Sequence, residues 1–383
     1  MIRSSPELLD DVAALDAGDS GGMLRSIASS GAQVREAALL AGEAGVTRLA
    51  DDGRPRAVVV VGMGGSGIAG DVLAAVAGPS LPVPLVVHRD FGLPGWVGPM
   101  DLVVAVSCSG ETVETLSALE EAVRRGCRLL VVGRDGSPLD DLGQRGRAVF
   151  VPVTQGRSPR ASMWALATPL VVAGHALGLL HAPAEVVEEA AALLEQLADR
   201  CRRDAESLVN PAKRLAGQLD GALPLVWGTS PLSAVAAQRF ASQLHENAEV
   251  VAVHGALPEA GHHQVAALDG PMAARVEAAG DVDDFFRDRA DDLEQAGVLA
   301  LVVLRDVEEH PTTALRADVC AELARERSVP VVQLRAEGTG RFARLASLVA
   351  VPDFASAYLA LLQGTDPTPV EAVAALGART SRA

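Results

Sequence analysis

Uninterrupted runs of apolar, mostly β-branched residues recur along this 383-residue chain and constrain its fold more than any other feature. Clear examples are AVVVVG at 57–62, DLVVAV at 101–106 and CRLLVVG at 127–133, and a segment with helical spacing follows the first two. A strand that is buried on one face alternates apolar with polar side chains, whereas a continuous run indicates burial on both faces. These runs therefore predict a parallel sheet with helices packed on both sides.

The same order of strand and helix begins again in the second half of the chain. Further strands are predicted by similar runs at 84–90, 148–153, 223–228, 249–255, 297–306, 329–335 and 345–354. Residues 23–50 have helical spacing, and the charged amphipathic segment 184–209 predicts a long connecting helix. The predicted fold class is α/β, with two tandem doubly wound parallel-sheet domains of flavodoxin-like plan. The predicted boundaries are 1–190 and 191–365, followed by a tail at 366–383.

Composition and charge exclude several classes of partner. Hydrophobic residues make up 49% of the chain and the formal net charge is −16, which disfavours binding to nucleic acids or to anionic membranes. The four cysteines lie far apart without metal-ligand spacing, which indicates a reducing, cytoplasmic compartment. The polar amino terminus does not resemble a signal peptide, and no uninterrupted apolar run reaches the roughly 18 residues of a membrane span.

A glycine-rich loop follows the first predicted strand. In VVVVGMGGSGIAGD, Gly62, Gly64 and Gly67 have G-x-G-x-x-G spacing, and Asp90 ends the next strand. Such a loop allows a tight turn and points helix N–H groups at an anion, as in dinucleotide-binding folds. The same spacing also occurs in a strand–helix turn that binds no ligand, so the motif alone leaves both interpretations open.

A second polar loop follows the strand at 101–106. In VSCSGETVET, Ser107, Ser109 and Thr112 supply three hydroxyl groups, and Gly110 leaves backbone N–H groups accessible at the start of a helix. One hydroxyl is enough to cap a helix, so three within six residues exceed what a cap requires. Together with the helix dipole they predict a phosphate site at the carboxyl end of a parallel strand.

These motifs resemble a known family. GMGGSGIAGD and VSCSGETVET resemble the sugar isomerase (SIS) domain. The segments at 157–170 (RSPRASMWALATPL) and 241–268 (ASQLHENAEVVAVHGALPEAGHHQVAAL) are similar to stretches of the bifunctional phosphoglucose/phosphomannose isomerases. The resemblance implies two SIS domains and interconversion of glucose 6-phosphate and/or mannose 6-phosphate with fructose 6-phosphate through a cis-enediolate. It also implies a homodimer that places a histidine in the partner's site, with no cofactor and no metal.

The resemblance also assigns roles to individual residues. Ser107, Ser109 and Thr112 would hold the substrate phosphate, and Gly64, Gly65 and Ser66 would line the sugar. Glu246 would be the base that moves the proton between the two carbons. His262 would open the sugar ring, and Arg160 would stabilise the enediolate. Such a carboxylate suits proton transfer between adjacent carbons, and histidine titrates near neutral pH.

Several residues depart from the family pattern. The family usually has a lysine near the carboxyl terminus, but the single lysine here is Lys213, and Arg379 and Arg382 are the candidates for that position. Glu111 stands in the phosphate loop where asparagine is common, and Gln264 replaces a glutamate after the histidine pair. Two functions therefore remain: an isomerase, or a sugar-phosphate-binding sensor or partner protein with little or no catalysis. A nicotinamide-dependent dehydrogenase is the third alternative.

The second half has no counterpart of the serine-rich loop. After the strand at 297–306 it reads VEEHPTT, which is acidic and offers few hydroxyl groups. We therefore predict a single phosphate site for each chain, in the first half, with the base supplied by the second.

Overall fold

A computed structural model of the chain describes residues 6–273 and 298–380. The first sheet has five parallel strands in the order β2-β1-β3-β4-β5. Its strands are β1 (Val58–Val61), β2 (Leu85–His88), β3 (Leu102–Ser107), β4 (Arg128–Gly133) and β5 (Val149–Pro152). Every residue of β1 and β3 is buried, as the valine runs predict. The doubly wound parallel plan predicted for this half is confirmed.

The second sheet has four parallel strands in the order β7-β6-β8-β9. They are β6 (Leu223–Gly228), β7 (Val253–Ala256), β8 (Leu299–Arg305) and β9 (Val331–Arg335). β8 is buried along its whole length, and Trp227 of β6 lies in the core that it shares with Leu301 and Val303. Two parallel sheets thus confirm the predicted α/β class with two domains of similar plan.

Helices connect these strands along the chain. In the first half they are α1 (Val12–Gly18), α2 (Met23–Ala28), α3 (Ser30–Glu43), α4 (Gly64–Ala77), α5 (Val113–Arg124), α6 (Pro138–Arg145), α7 (Met163–Ala176) and α8 (Ala184–Arg200). In the second they are α9 (Pro211–Leu219), α10 (Pro231–Asn247), α11 (Ala260–His263), α12 (Pro311–Glu326), α13 (Arg341–Leu362) and α14 (Glu371–Thr380). The connecting helix predicted at 184–209 ends at Arg200, so the prediction was too long at its carboxyl end.

The compact units do not follow the order of the chain. One unit contains the first sheet and comprises Met23–Asp199 with Gly338–Ser347. The other contains the second sheet and comprises Arg200–Glu337 with the described residues up to Gly22 and from Leu348 onward. Contacts therefore group segments that are distant in sequence, whereas the boundaries predicted at 190 and 365 followed chain order and stay a prediction.

The strand predicted at 345–354 is wrong, because this segment lies inside α13. Residues 342–362 are all buried, so both a strand and a helix in this position would be apolar on every side. The alanine-rich sequence and its length favour the helix. Within the described residues α13 is the one helix whose length and hydropathy would suit a membrane span, and its apolar window is wholly buried, as in the core helix of a folded domain.

Candidate active site

The three predicted hydroxyl groups lie together at the carboxyl end of β3. Ser107 is the last residue of this strand and is buried, whereas Ser109 is exposed in the loop. The Ser107 Oγ atom lies 3.0 Å from Thr112 Oγ1 and 3.4 Å from Ser109 Oγ. The structure thus places all three hydroxyl oxygens around one point at the edge of the first sheet.

The amino terminus of α5 opens onto these hydroxyl groups. Thr112 is the N-cap residue of α5, yet its side chain accepts no hydrogen bond from the first turn, because Oγ1 contacts Ser107 instead. Gly110 has a φ of +71°, and a Cβ there would clash with Ser137 Oγ, so only glycine fits. An uncapped helix terminus with adjacent hydroxyl groups is suited to an anion.

The glycine loop adjoins the serine loop. The backbone N–H of Cys108 donates to Ser66 Oγ at 3.2 Å, which ties the two loops together. α4 begins at Gly64, whose φ is +50°, and its N-cap residue Met63 makes no side-chain cap. A Cβ on Gly65 would lie 3.9 Å from the Arg160 Cα atom, so the arginine segment packs beside this loop. The predicted phosphate, sugar and arginine residues of the first half therefore share one edge of the first sheet.

Arg160 lies in a short 3-10 helix, Pro159–Ala161, and is 7% exposed. The buried side chain of Gln33 on α3 donates from Nε2 to the Ala161 carbonyl oxygen at 2.9 Å. Glu36 on the same helix pairs with Arg157 at 2.9 Å. α3 thus braces the segment that carries Arg160. Gln33 was not predicted as a site residue, although a polar residue next to Val34 on the buried face of an amphipathic helix was a usable signal.

The unusual acidic residue of the phosphate loop is paired. Glu111 forms an ion pair with Arg134, which follows β4. A carboxylate beside a bound phosphate is unfavourable unless a cation compensates it, and Arg134 supplies that cation. Burial raises the pKa of the Cys108 thiol in the same loop, so Cys108 carries no anionic charge at neutral pH.

Glu246 and His262 belong to the unit that contains the second sheet. Glu246 is partly buried in the last turn of α10. His262 is exposed in α11, which follows β7, and its Nε2 atom lies 3.2 Å from Nη1 of Arg316. The adjacent His263 instead lies 3.7 Å from Glu259. The two neighbouring histidines therefore have different partners.

The single lysine is a core residue. Lys213 is 1% exposed, and its Nζ atom donates to the carbonyl oxygens of Arg203 and Ala205 at 2.8 and 2.7 Å. Burial lowers the pKa of Lys213. Arg379 is exposed on α14, and Arg382 lies outside the described residues. Lys213 is thus a structural residue and does not replace the lysine of the family pattern.

Comparisons with known proteins identify the family of the chain. Residues 208–379 match the family model of the bacterial phospho-glucose isomerase C-terminal SIS domain. The chain is 30% identical over 316 residues to a bifunctional phosphoglucose/phosphomannose isomerase of Caldicellulosiruptor bescii, covering 82% of this chain and 87% of that protein. The corresponding enzyme of Aquifex aeolicus is 29% identical, with coverages of 83% and 88%.

A solved structure shows the same fold. A hypothetical protein of Thermus thermophilus superposes with a TM-score of 0.69 at 16% identity, covering 98% of this chain and 94% of that one. Identity this low supports the fold alone. The similarity to the Caldicellulosiruptor enzyme, by contrast, spans most of both sequences. The chain therefore belongs to the family of bifunctional phosphoglucose/phosphomannose isomerases and is an isomerase.

Proposed function

We propose that this protein interconverts glucose 6-phosphate and/or mannose 6-phosphate with fructose 6-phosphate through a cis-enediolate. The observation that carries the proposal is the group of hydroxyls around Ser107 at the uncapped terminus of α5. A compact dianion such as a sugar phosphate suits this site, because the hydroxyl groups and the helix N–H groups can all donate to it. The relatives named above are bifunctional isomerases of such sugars.

The first half would bind and orient the substrate. The phosphate is held by Ser107, Ser109 and Thr112. The sugar lies against the Gly64–Ser66 turn, where Gly64 and Gly65 have no side chain and so leave room for it. Arg160 stabilises the negative charge that develops on the enediolate oxygens, and its buried position strengthens that interaction. Gln33 keeps the arginine segment in place through the Ala161 carbonyl.

The second half would supply the proton chemistry. Glu246 removes the proton from C2 of the open-chain aldose and returns it to C1, so that one carboxylate serves both steps and no net proton is lost. His262 assists the opening of the sugar ring. No lysine takes part in the proposed reaction, since the only lysine of the sequence is buried in a structural role. An arginine at the carboxyl terminus could bind the substrate but would not transfer a proton at neutral pH.

The substitution Glu246→Gln tests this function. Fructose 6-phosphate formation from glucose 6-phosphate and from mannose 6-phosphate is measured by a coupled assay, and sugar-phosphate binding by calorimetry. We expect kcat to fall by about 10²- to 10⁴-fold while the Kd stays within about threefold, because the carboxylate acts in proton transfer. Glu249→Gln, three residues further and exposed, is the control and should retain full activity.

The alternative function has a different outcome. A binding protein without catalysis would show calorimetric affinity for the sugar phosphates and no turnover with either aldose, in the wild type as in Glu246→Gln. The curated relatives are isomerases, and retention of Glu246, His262 and Arg160 also favours the enzyme. The missing carboxyl-terminal lysine is the one departure that fits the alternative. Wild-type turnover that survives in Glu246→Gln would exclude this residue as the base.

A further inference from the structure

A side-chain contact links His262 of α11 to Arg316 of α12. Arg316 lies in the second turn of α12, and its Nη1 atom is 3.2 Å from His262 Nε2. We propose that Arg316 is a positioning residue that holds His262 as the neutral tautomer with its hydrogen on Nδ1. The inference deepens the proposed function, since it rests on His262 as the residue that meets the sugar ring.

The chemistry of the two side chains determines the direction of the hydrogen bond. A guanidinium group has five N–H donors, no acceptor, and does not lose its proton in proteins. Nε2 of His262 must therefore be the acceptor, which it can be only when it carries no hydrogen. A neutral imidazole has one hydrogen, which then resides on Nδ1. The imidazolium form would place an N–H group against the N–H of Arg316.

Hydrogen bonds of Gln264 also hold the turn that carries His262. Gln264 follows α11 directly, and its Oε1 atom accepts a hydrogen bond from Nε1 of the fully buried Trp227 at 2.6 Å. Its Nε2 atom donates to the His254 carbonyl oxygen on β7 at 3.2 Å. Gly255 permits this close approach, because a Cβ there would lie 2.6 Å from Gln264 Oε1. Gln264 thus anchors the backbone of the turn, and Arg316 orients the ring.

Other titratable groups surround the same turn without taking over this role. His263 lies beside Glu259, 3.7 Å away. Burial, and secondarily the charge of His245, lower the pKa of His254, which favours its neutral form. Arg316 is the charged group within hydrogen-bonding distance of His262 in the described residues.

The fixed tautomer selects between two roles for the histidine in ring opening. A histidine can accept a proton from the anomeric hydroxyl group, or it can donate a hydrogen bond to the ring oxygen. Arg316 occupies the only acceptor nitrogen, so the nitrogen that remains for the sugar is Nδ1, a donor. In the proposed arrangement Nδ1–H donates to the ring oxygen as its bond to C1 breaks and stabilises the charge that develops there. Solvent water takes the proton from the anomeric hydroxyl group and returns a proton to the ring oxygen, so His262 itself keeps its hydrogen.

Nitrogen NMR of the imidazole tests the tautomer without any reference to activity. Two-bond ¹H–¹⁵N correlation spectra of protein labelled with ¹⁵N-histidine are recorded at about pH 8.5, two units above the ordinary histidine pKa. His262→Gln serves only to assign the signal. We expect the Nδ1–H pattern for His262 in the wild type and in Arg316→Lys, which keeps a cationic donor. Arg316→Met, which has no donor, should lose that pattern. An Nε2–H pattern in the wild type, or an unchanged Nδ1–H pattern in Arg316→Met, would overturn the proposal.

Kinetics provide the second test. With ring-closed glucose 6-phosphate, kcat should fall about tenfold in Arg316→Met with KM nearly unchanged, and Arg316→Lys should recover most of the loss. Arg325→Met, at an exposed position of the same helix, is the matched control and should behave as the wild type. A raised KM with full kcat in Arg316→Met would contradict a role through His262. A wild type without turnover but with the Nδ1–H pattern would refute the proposed function and leave the tautomer assignment standing.

Discussion

At the carboxyl edges of the two sheets, helices follow the strands in the same order, but the amino termini of these helices are capped differently. At the second sheet, α10 begins with a capping box in which Ser230 and Ser233 bond each other's backbone N–H groups. α12 is capped by His310, whose Nδ1 atom accepts from Thr312 N at 3.2 Å. At the first sheet, α4 and α5 have no such side-chain caps. The chain therefore caps α10 and α12 at the second sheet and leaves α4 and α5 uncapped at the first, where only α6 among the helices that follow strands β1, β3 and β4 has a side-chain cap, from Ser137.

The hydroxyl groups at the two edges differ in the same way. Thr229 donates to Glu309 at 2.5 Å and Ser230 donates to Asp306 at 2.9 Å, so carboxylates of the chain itself occupy the second edge. The hydroxyl groups around Ser107 contact one another and neighbouring backbone N–H groups. Because the hydroxyl groups of Thr229 and Ser230 already donate to carboxylates, they are less suited to a phosphate than those around Ser107. The single phosphate site in the first half stays a prediction.

The largest effect is expected from the paired change Ser109→Ala with Thr112→Ala. Each hydroxyl group would lose a charge-assisted hydrogen bond, so sugar-phosphate binding should weaken by about 3 kcal/mol, or about 100-fold in Kd by calorimetry. The control is Thr229→Ala at the second sheet, which should leave the Kd within about twofold. Equal losses at both edges would remove the distinction between them.

The next effect concerns stability and has the opposite pattern. Ser230→Ala removes a cap and leaves the buried carboxylate of Asp306 with one donor fewer, so the free energy of unfolding should fall by about 1–2 kcal/mol. Thr112→Ala removes no cap and should change it by less than about 0.5 kcal/mol. Urea denaturation measures both variants. A loss in Thr112→Ala as large as in Ser230→Ala would show that the contact between Thr112 and Ser107 stabilises the fold and would remove this contrast.

The sequence predicted the strands and the loops at their ends better than it predicted the side chains that contact the site residues. Buried strands such as β1 and β3 are identifiable because a run of valines has few alternatives once turn signals bound it. The strand prediction at 345–354 was wrong because a helix that is buried on all sides gives the same apolar pattern. The serine loop was found because its hydroxyl groups are adjacent in sequence. Gln33 and Arg316 were missed because each acts on a residue far away in the chain. The sequence can mark Gln33 as a polar residue on a buried helix face, but it does not reveal which residue Gln33 contacts.

A smaller change of opposite sign is expected at Glu111. Glu111→Gln removes a negative charge from the phosphate loop and releases Arg134 from its ion pair, so sugar phosphate should bind about two- to fivefold more tightly. The gain should shrink as ionic strength rises, because exposed charges are screened. Calorimetry at low and high salt measures it. Weaker binding in Glu111→Gln would mean that this carboxylate helps to shape the loop.

The smallest effect is expected at Glu189, in the unit that contains the first sheet. It tests whether a carboxylate of the chain also stabilises a helix amino terminus in that unit. Glu189 accepts hydrogen bonds from Thr339 N and Oγ1 at 2.8 and 2.7 Å and from Gly340 N at 3.3 Å, just before α13 begins. Burial raises the pKa of Glu189, but these hydrogen bonds outweigh it, so the pKa lies below its ordinary value.

A carboxyl group whose pKa is lower in the folded state stabilises the protein above its unfolded pKa, and that stabilisation is lost as the pH falls through the folded value. Glu189→Gln should therefore reduce the free energy of unfolding by less than about 1 kcal/mol at pH 7, and the difference from the wild type should vanish below about pH 4. Glu185→Gln, exposed on the same helix, should show no such pH dependence. A constant difference across this range would mean that the carboxylate charge is not what stabilises the turn.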